Sequence, residues 1–174
     1  MRQLGEFFDR LWRVLRGDED VFFEIGLDRK AGWAASGLVL VVSLVSGLGW
    51  ILRSQTPFLS AISFVPCAVA AWWIFGYSIN FIEMLFAGGG MQHGELLRLA
   101  GFAMLPLGLL SVPYSGWLSV GWFWGLMYRA LRSFYSSKPG HTLFLVLAGS
   151  MIACVFLGLS VVLINTVLMG WFSS

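Results

Sequence analysis

The chain has 174 residues, of which 58% are hydrophobic and only 11% charged, with a formal net charge of +2. A soluble domain carries about 25% charged residues, so this apolar surplus exceeds what one small core can hide and excludes an ordinary soluble fold. The expected solvent is the lipid bilayer, whose spanning helices need roughly 20 apolar residues each, and the chain has room for about five.

The first 30 residues are charged and do not fit a secretory signal, which would show a brief apolar stretch and a small-residue cleavage site; the segment is expected to be retained. In "MRQLGEFFDRLWRVLRG", Leu4, Phe7, Phe8, Leu11, Trp12 and Leu15 recur at helical spacing and form one stripe. Glu6, Asp9, Arg10, Arg13 and Arg16 occupy the opposite face, with Glu6–Arg10 and Asp9–Arg13 in the favourable acid-before-base order. Gly17 ends the pattern, and Asp18 or Asp20 can cap a second short helix through Phe22, Phe23 and Ile25. Aromatics on one side and arginines on the other suit the membrane interface. Packing against the protein's own spans, or a soluble partner, is equally compatible.

The first span reads from about Ala31 to Leu52, with Trp33 and Trp50 near its ends. Arg53 and Pro57 mark a turn. A second span from about Leu59 to Phe86 is long enough to need tilt or a bend, which Pro66 offers. The stretch "LFAGGGMQHGELLRLAGF" follows. Its glycines lack the Lys-Ser/Thr pair of a phosphate-binding loop, and a carbonyl selectivity filter would need shielded re-entrant backbone. Gly88, Gly89 and Gly90 are therefore read as a tight helix end. The third span runs from about Glu95 to Val112, the fourth from Trp117 to Leu131, and the fifth from Leu143 to Trp171.

With five spans, Arg2, Arg10, Arg13, Arg16, Arg29, Lys30, Arg98, Arg129, Arg132 and Lys138 share one side, and Arg53 alone lies on the other. The positive-inside rule then puts the N-terminus in the cytoplasm and the C-terminus outside.

A "GGG" turn followed by "ELLRLAGFAMLP" resembles the signature of the Yip domain family of multispan membrane proteins. The matching positions are Gly89, Gly90, Leu96, Leu97, Arg98, Gly101, Phe102 and Pro106, and "LWRVLRGDEDVFFEI" looks like the cytoplasmic lead-in of bacterial members. The resemblance runs from about Leu11 to Leu159. It implies five spans and a cytoplasmic N-terminus. Eukaryotic relatives bind Rab-type GTPases and act in trafficking between endoplasmic reticulum and Golgi. This chain lacks their long cytoplasmic domain with its Asp-Leu-x-Gly-Pro element, which argues against GTPase binding and suits a short prokaryotic member of the inner membrane.

Ionisable groups within spans are costly and mark sites or interhelical bonds. Asn80 and Glu83 share a face, and a hairpin around the glycines would bring Glu83 and Arg98 to similar depth, so an interhelical ion pair is expected there. A polar site for an ion, proton or headgroup built from Asn80, Glu83 and Arg98 is the functional alternative. Asn165 is read as interhelical glue. The two histidines, His93 and His141, are read as surface residues rather than metal or haem ligands. Cys67 and Cys154 lie in apolar runs and are read as small hydrophobes. Gly121 with Gly125, and Gly149 with Ala153, have the spacing of close helix contacts, for which packing within the chain is preferred over oligomerisation.

These readings combine into an all-α integral membrane five-helix bundle: residues 1–30 an N-terminal amphipathic cytoplasmic segment, residues 31–172 a Yip-like transmembrane domain. The expected function is that of a non-enzymatic scaffold, membrane-organising protein or accessory subunit. Its expected partners are the bilayer and a membrane protein or a second copy, with no nucleic acid, cofactor or metal. A small transporter or channel using Asn80, Glu83 and Arg98 is the alternative.

Overall fold

The computed structural model describes residues 2–51, 57–87, 92–112, 114–135 and 138–172. They form α1 (Arg2–Arg16), α2 (Glu19–Leu27), α3 (Ala31–Ile51), α4 (Pro57–Ala87), α5 (His93–Ala103), a 3-10 segment (Leu105–Ser111), α6 (Gly116–Tyr135) and α7 (Pro139–Phe172), with no strand among them. Arg53 and Gly88, Gly89 and Gly90 lie outside the described residues, as does the side chain of Asn165.

Among the described residues, three helices are long and apolar enough to cross a membrane: Ala31–Gly49 within α3, Phe64–Phe86 within α4 and Pro139–Ile164 within α7. A fourth crossing arises if α5 and the 3-10 segment, bent by 45° at their junction, count as one span. The expected unbroken third span is thus two pieces. Pro106 stands at the start of the 3-10 segment and has no N–H to extend an α-helical ladder. Among the described residues α6, with 20 residues, is long enough but not apolar enough to qualify as a span; Arg129 and Arg132 fall in its last two turns.

The N-terminal corner follows from local chemistry. Gly17 has φ 73°, a left-handed conformation that glycine adopts without strain. The Asp18 side chain then caps α2 by accepting from the Asp20 N–H. Burial would raise the Asp28 carboxyl, but the Arg10 guanidinium and the N–H groups of Lys30 and Ala31 hold it below its usual value. Arg10 and Arg13 of α1 pair across the corner: Arg10 with Asp28 at 3.1 Å, and Arg13 with Asp18 at 2.8 Å and Glu24 at 3.3 Å. The stripe expected on α1 is divided, because Phe7 and Leu11 pack on the core while Phe8 and Trp12 are exposed. Arg16 covers the Trp12 ring at 4.9 Å.

The core gathers around α5, where Leu96, Leu99, Ala100, Phe102 and Ala103 are almost wholly buried. Phe22 and Ile25 from α2, Ile79 from α4, Met127 and Leu131 from α6 and Leu145 from α7 complete it. α3 approaches α5 closely because Gly101 has no side chain; a Cβ there would stand 2.8 Å from the Ala35 Cβ. At the other end of α3, Gly49 rests on the Ser111 backbone, and Ser46 donates to the Leu107 carbonyl at 2.8 Å. α4 and α7 form the most extensive helix pairing. Even so, only 18% of the Pro139–Ile164 stretch is buried, and Met151, Ile152, Val155 and Leu159 face outward.

Candidate functional site

Where α5 begins along α4 decides which polar groups meet. His93 stacks on Tyr77 with ring centroids 3.8 Å apart and lies 5.5 Å from the Trp73 ring. One turn later the Leu97 carbonyl accepts the indole N–H of Trp72 at 3.1 Å. α5 therefore starts about ten residues back along α4 from its end at Ala87, roughly 15 Å at the helical rise. Arg98 comes level with Trp72, about 16 Å along α4 from Glu83. The expected Glu83–Arg98 ion pair is not formed.

Each of those charges has another partner. Glu83, with a side chain 14% exposed, is engaged by Nε2 of His141 on α7. Nη2 of Arg98 donates to the Gly26 carbonyl at the end of α2, while its Nε–H is buried without an acceptor among the described residues. Beside them the Tyr135 hydroxyl donates to Glu95 at 3.0 Å. Burial and the Glu95 carboxylate push the Tyr135 phenol well above its ordinary value, so the phenol stays a proton donor. Asn80 sits on α4 one turn before Glu83, partly buried.

The histidines are not the surface residues the sequence suggested. His141 anchors the start of α7, and His93 is held between aromatic rings with both ring nitrogens buried and without a hydrogen-bond partner among the described residues. Among those residues no group of three His, Cys, Asp or Glu is arranged to hold a metal. Cys67 is buried and Cys154 exposed, both as free thiols.

The small-residue patterns part company. Gly149 packs into α4, where an added Cβ would come within 2.9 Å of Ile79 and 3.3 Å of Phe75, and Ala153 is also buried. Gly121 and Gly125 have no atom of the described residues within 4 Å of a would-be Cβ. They share the outer face of α6 with the exposed Trp117, Leu118 and Trp122. Packing within the chain is seen at Gly149 and Ala153 and, among the described residues, not at Gly121 and Gly125. Gly101 and Pro106, carried over from the family signature, are structural: one admits α3, the other is buried at the α5 break.

Two clefts flank these features. One, of about 310 Å³, is lined by Arg29, Trp33, Ser36, Trp72, Trp73 and Arg98 among others, at the junction of α3, α4 and α5. Another, of about 400 Å³, lies between α6 and α7 beside Gly125 and Tyr128. Comparison of the chain with family models, with curated proteins and with solved structures finds no match.

Proposed function

We propose that the chain is a non-enzymatic membrane scaffold or accessory subunit of the short Yip-like type, and that it receives a partner's transmembrane helix on the outer face of α6. The observation that carries this reading is the outward pair Gly121 and Gly125, where no atom of the described residues would lie within 4 Å of an added Cβ. Small residues four apart let two backbones approach closely, and in lipid that packing is a main source of helix association. Trp117, Leu118 and Trp122 flank the pair and supply contact area.

On this reading α6 is a crossing helix as well, giving five spans, with Arg129 and Arg132 at the cytoplasmic end that also holds α1 and α2. The charge asymmetry and the resemblance of "GGGMQHGELLRLAGFAMLP" to the Yip signature support that topology. The separation of Glu83 from Arg98 removes the support that a transport site would have drawn from their meeting.

The test is photo-crosslinking in native membranes from a reactive residue at position 125, with position 149 as the buried control. A protein adduct at 125 and none at 149 is expected. A Gly121→Leu variant carrying the same reactive residue at position 125 should keep its helical signal and lose the adduct. Lipid adducts alone at position 125 would overturn the reading.

A further inference from the structure

The cleft at the start of α3 combines features that point to one ligand chemistry. Two arginines line it and no acid does. Arg29 is exposed, and neither Arg29 nor Arg98 makes an ion pair among the described residues. The nearest acid in sequence, Asp28, is already held by Arg10. The Arg98 guanidinium spends one nitrogen on the Gly26 carbonyl and keeps a buried N–H without an acceptor among the described residues. Gly32 and Gly94 border the side chain, where a Cβ on either would make ordinary contact with it at 4.0 or 3.6 Å.

The surroundings set the depth and the kind of molecule. Arg29 stands two residues ahead of the apolar stretch that begins at Ala31, which places its charge at the water boundary. Trp33, 87% exposed, forms the lip, and indole rings favour the headgroup level. From Trp33 an outward track of Leu40, Leu44 and Leu48 continues down α3 at helical spacing. The rise from Trp33 to Leu44 is about 16 Å, close to half of the roughly 30 Å hydrocarbon core. A free anion would use the arginines and leave this track without a role.

We infer that the cleft binds one anionic phospholipid, its phosphate between Arg29 and Arg98, its glycerol end against Trp33 and Trp73, and an acyl chain along the outer face of α3. Guanidinium groups suit phosphate through parallel charge-assisted N–H donation. The inference concerns α3 and α5 and is independent of what docks on α6.

Native mass spectrometry and thermal unfolding in a neutral detergent test it, with phosphatidylglycerol, phosphatidylcholine and inorganic phosphate as probes. Phosphatidylglycerol is expected to add one lipid mass and raise the unfolding temperature, and the other two to do neither. Arg98 also holds Gly26, so Arg29, exposed and outside that contact, separates binding from folding. Arg29→Gln should weaken phosphatidylglycerol binding about tenfold, while Arg132→Gln on α6 leaves it unchanged. Equal stabilisation by phosphatidylcholine would make the site unselective, and an equal shift with phosphate alone would make it a free-anion site. Either result, or undiminished binding in Arg29→Gln, overturns the inference.

Discussion

His141 Nε2 meets the Glu83 carboxylate across the α4–α7 interface, joining residues 58 positions apart at the start of one long helix and near the end of another. Contacting groups couple energetically and distant ones add. A double-mutant cycle of Glu83→Gln with His141→Gln should therefore show a coupling of about 0.5–3 kcal/mol. The corresponding cycle of Glu83→Gln with Arg98→Gln should be additive within about 0.5 kcal/mol. Thermal unfolding of the four variants of each cycle in one detergent gives both numbers.

Glycine-to-alanine changes should have opposite signs on two helices. At Gly101 the new methyl would meet Ala35 at 2.8 Å and push α3 from α5; overpacking of this kind costs about 1–3 kcal/mol. At Gly125 no atom of the described residues obstructs the methyl, and the gain in helix propensity is up to about 1 kcal/mol. Gly101→Ala should lower the unfolding temperature and Gly125→Ala should raise it in detergent without a partner.

Tyr135→Phe leaves the ring and removes the donor to Glu95. A partly buried carboxylate stripped of its hydrogen bond costs about 1–3 kcal/mol. Glu95→Gln should cost less, because the amide oxygen still accepts from the phenol. No loss in Tyr135→Phe, by thermal unfolding, would show that the ring rather than the bond matters.

The corner between α1, α2 and α3 should open in acid. The Asp18 carboxyl is depressed mainly by its bond to Arg13, and Asp28 by Arg10 and two backbone N–H groups. A depressed carboxyl stabilises the fold fully above its unfolded value near 3.9. That contribution disappears as the pH falls through the lower folded value. Hydrogen exchange in α1 and α2 should accelerate across that acidic range, and Asp28→Asn should flatten the dependence.

Much of the local structure was legible because local rules govern it. Gly17 broke the first helix, Asp18 capped the second, and α3, α4 and α7 begin and end within a few residues of the apolar runs. Register was not legible. Where α5 starts against α4 is set by His93 lying on Tyr77 and by Trp72 reaching the Leu97 carbonyl, contacts that no local pattern announces. Counting symmetrically about the glycines therefore paired Glu83 with the wrong cation. The outward face of α6 could have been found: Gly121 and Gly125 share a wheel face with Trp117 and Leu118, opposite Ser119, Phe123, Met127 and Ala130. The break in α5 was hinted at by Pro106, but a proline alone does not say whether a span bends or continues.

The Arg129 side chain reaches back from α6 and donates to the Gly17 carbonyl at 3.1 Å, filling the space where any Cβ at Gly17 would collide with it at 2.5 Å. Arg129 stands one turn beyond Gly125, so the elbow between the first two helices is latched to the helix whose outer side is bare. A tug on the N-terminal arm would thereby be carried as torque into α6 rather than absorbed by a loose hinge, and on the proposed docking a protein seated on α6 would feel the arm's orientation through that latch and through Phe134 against Phe23.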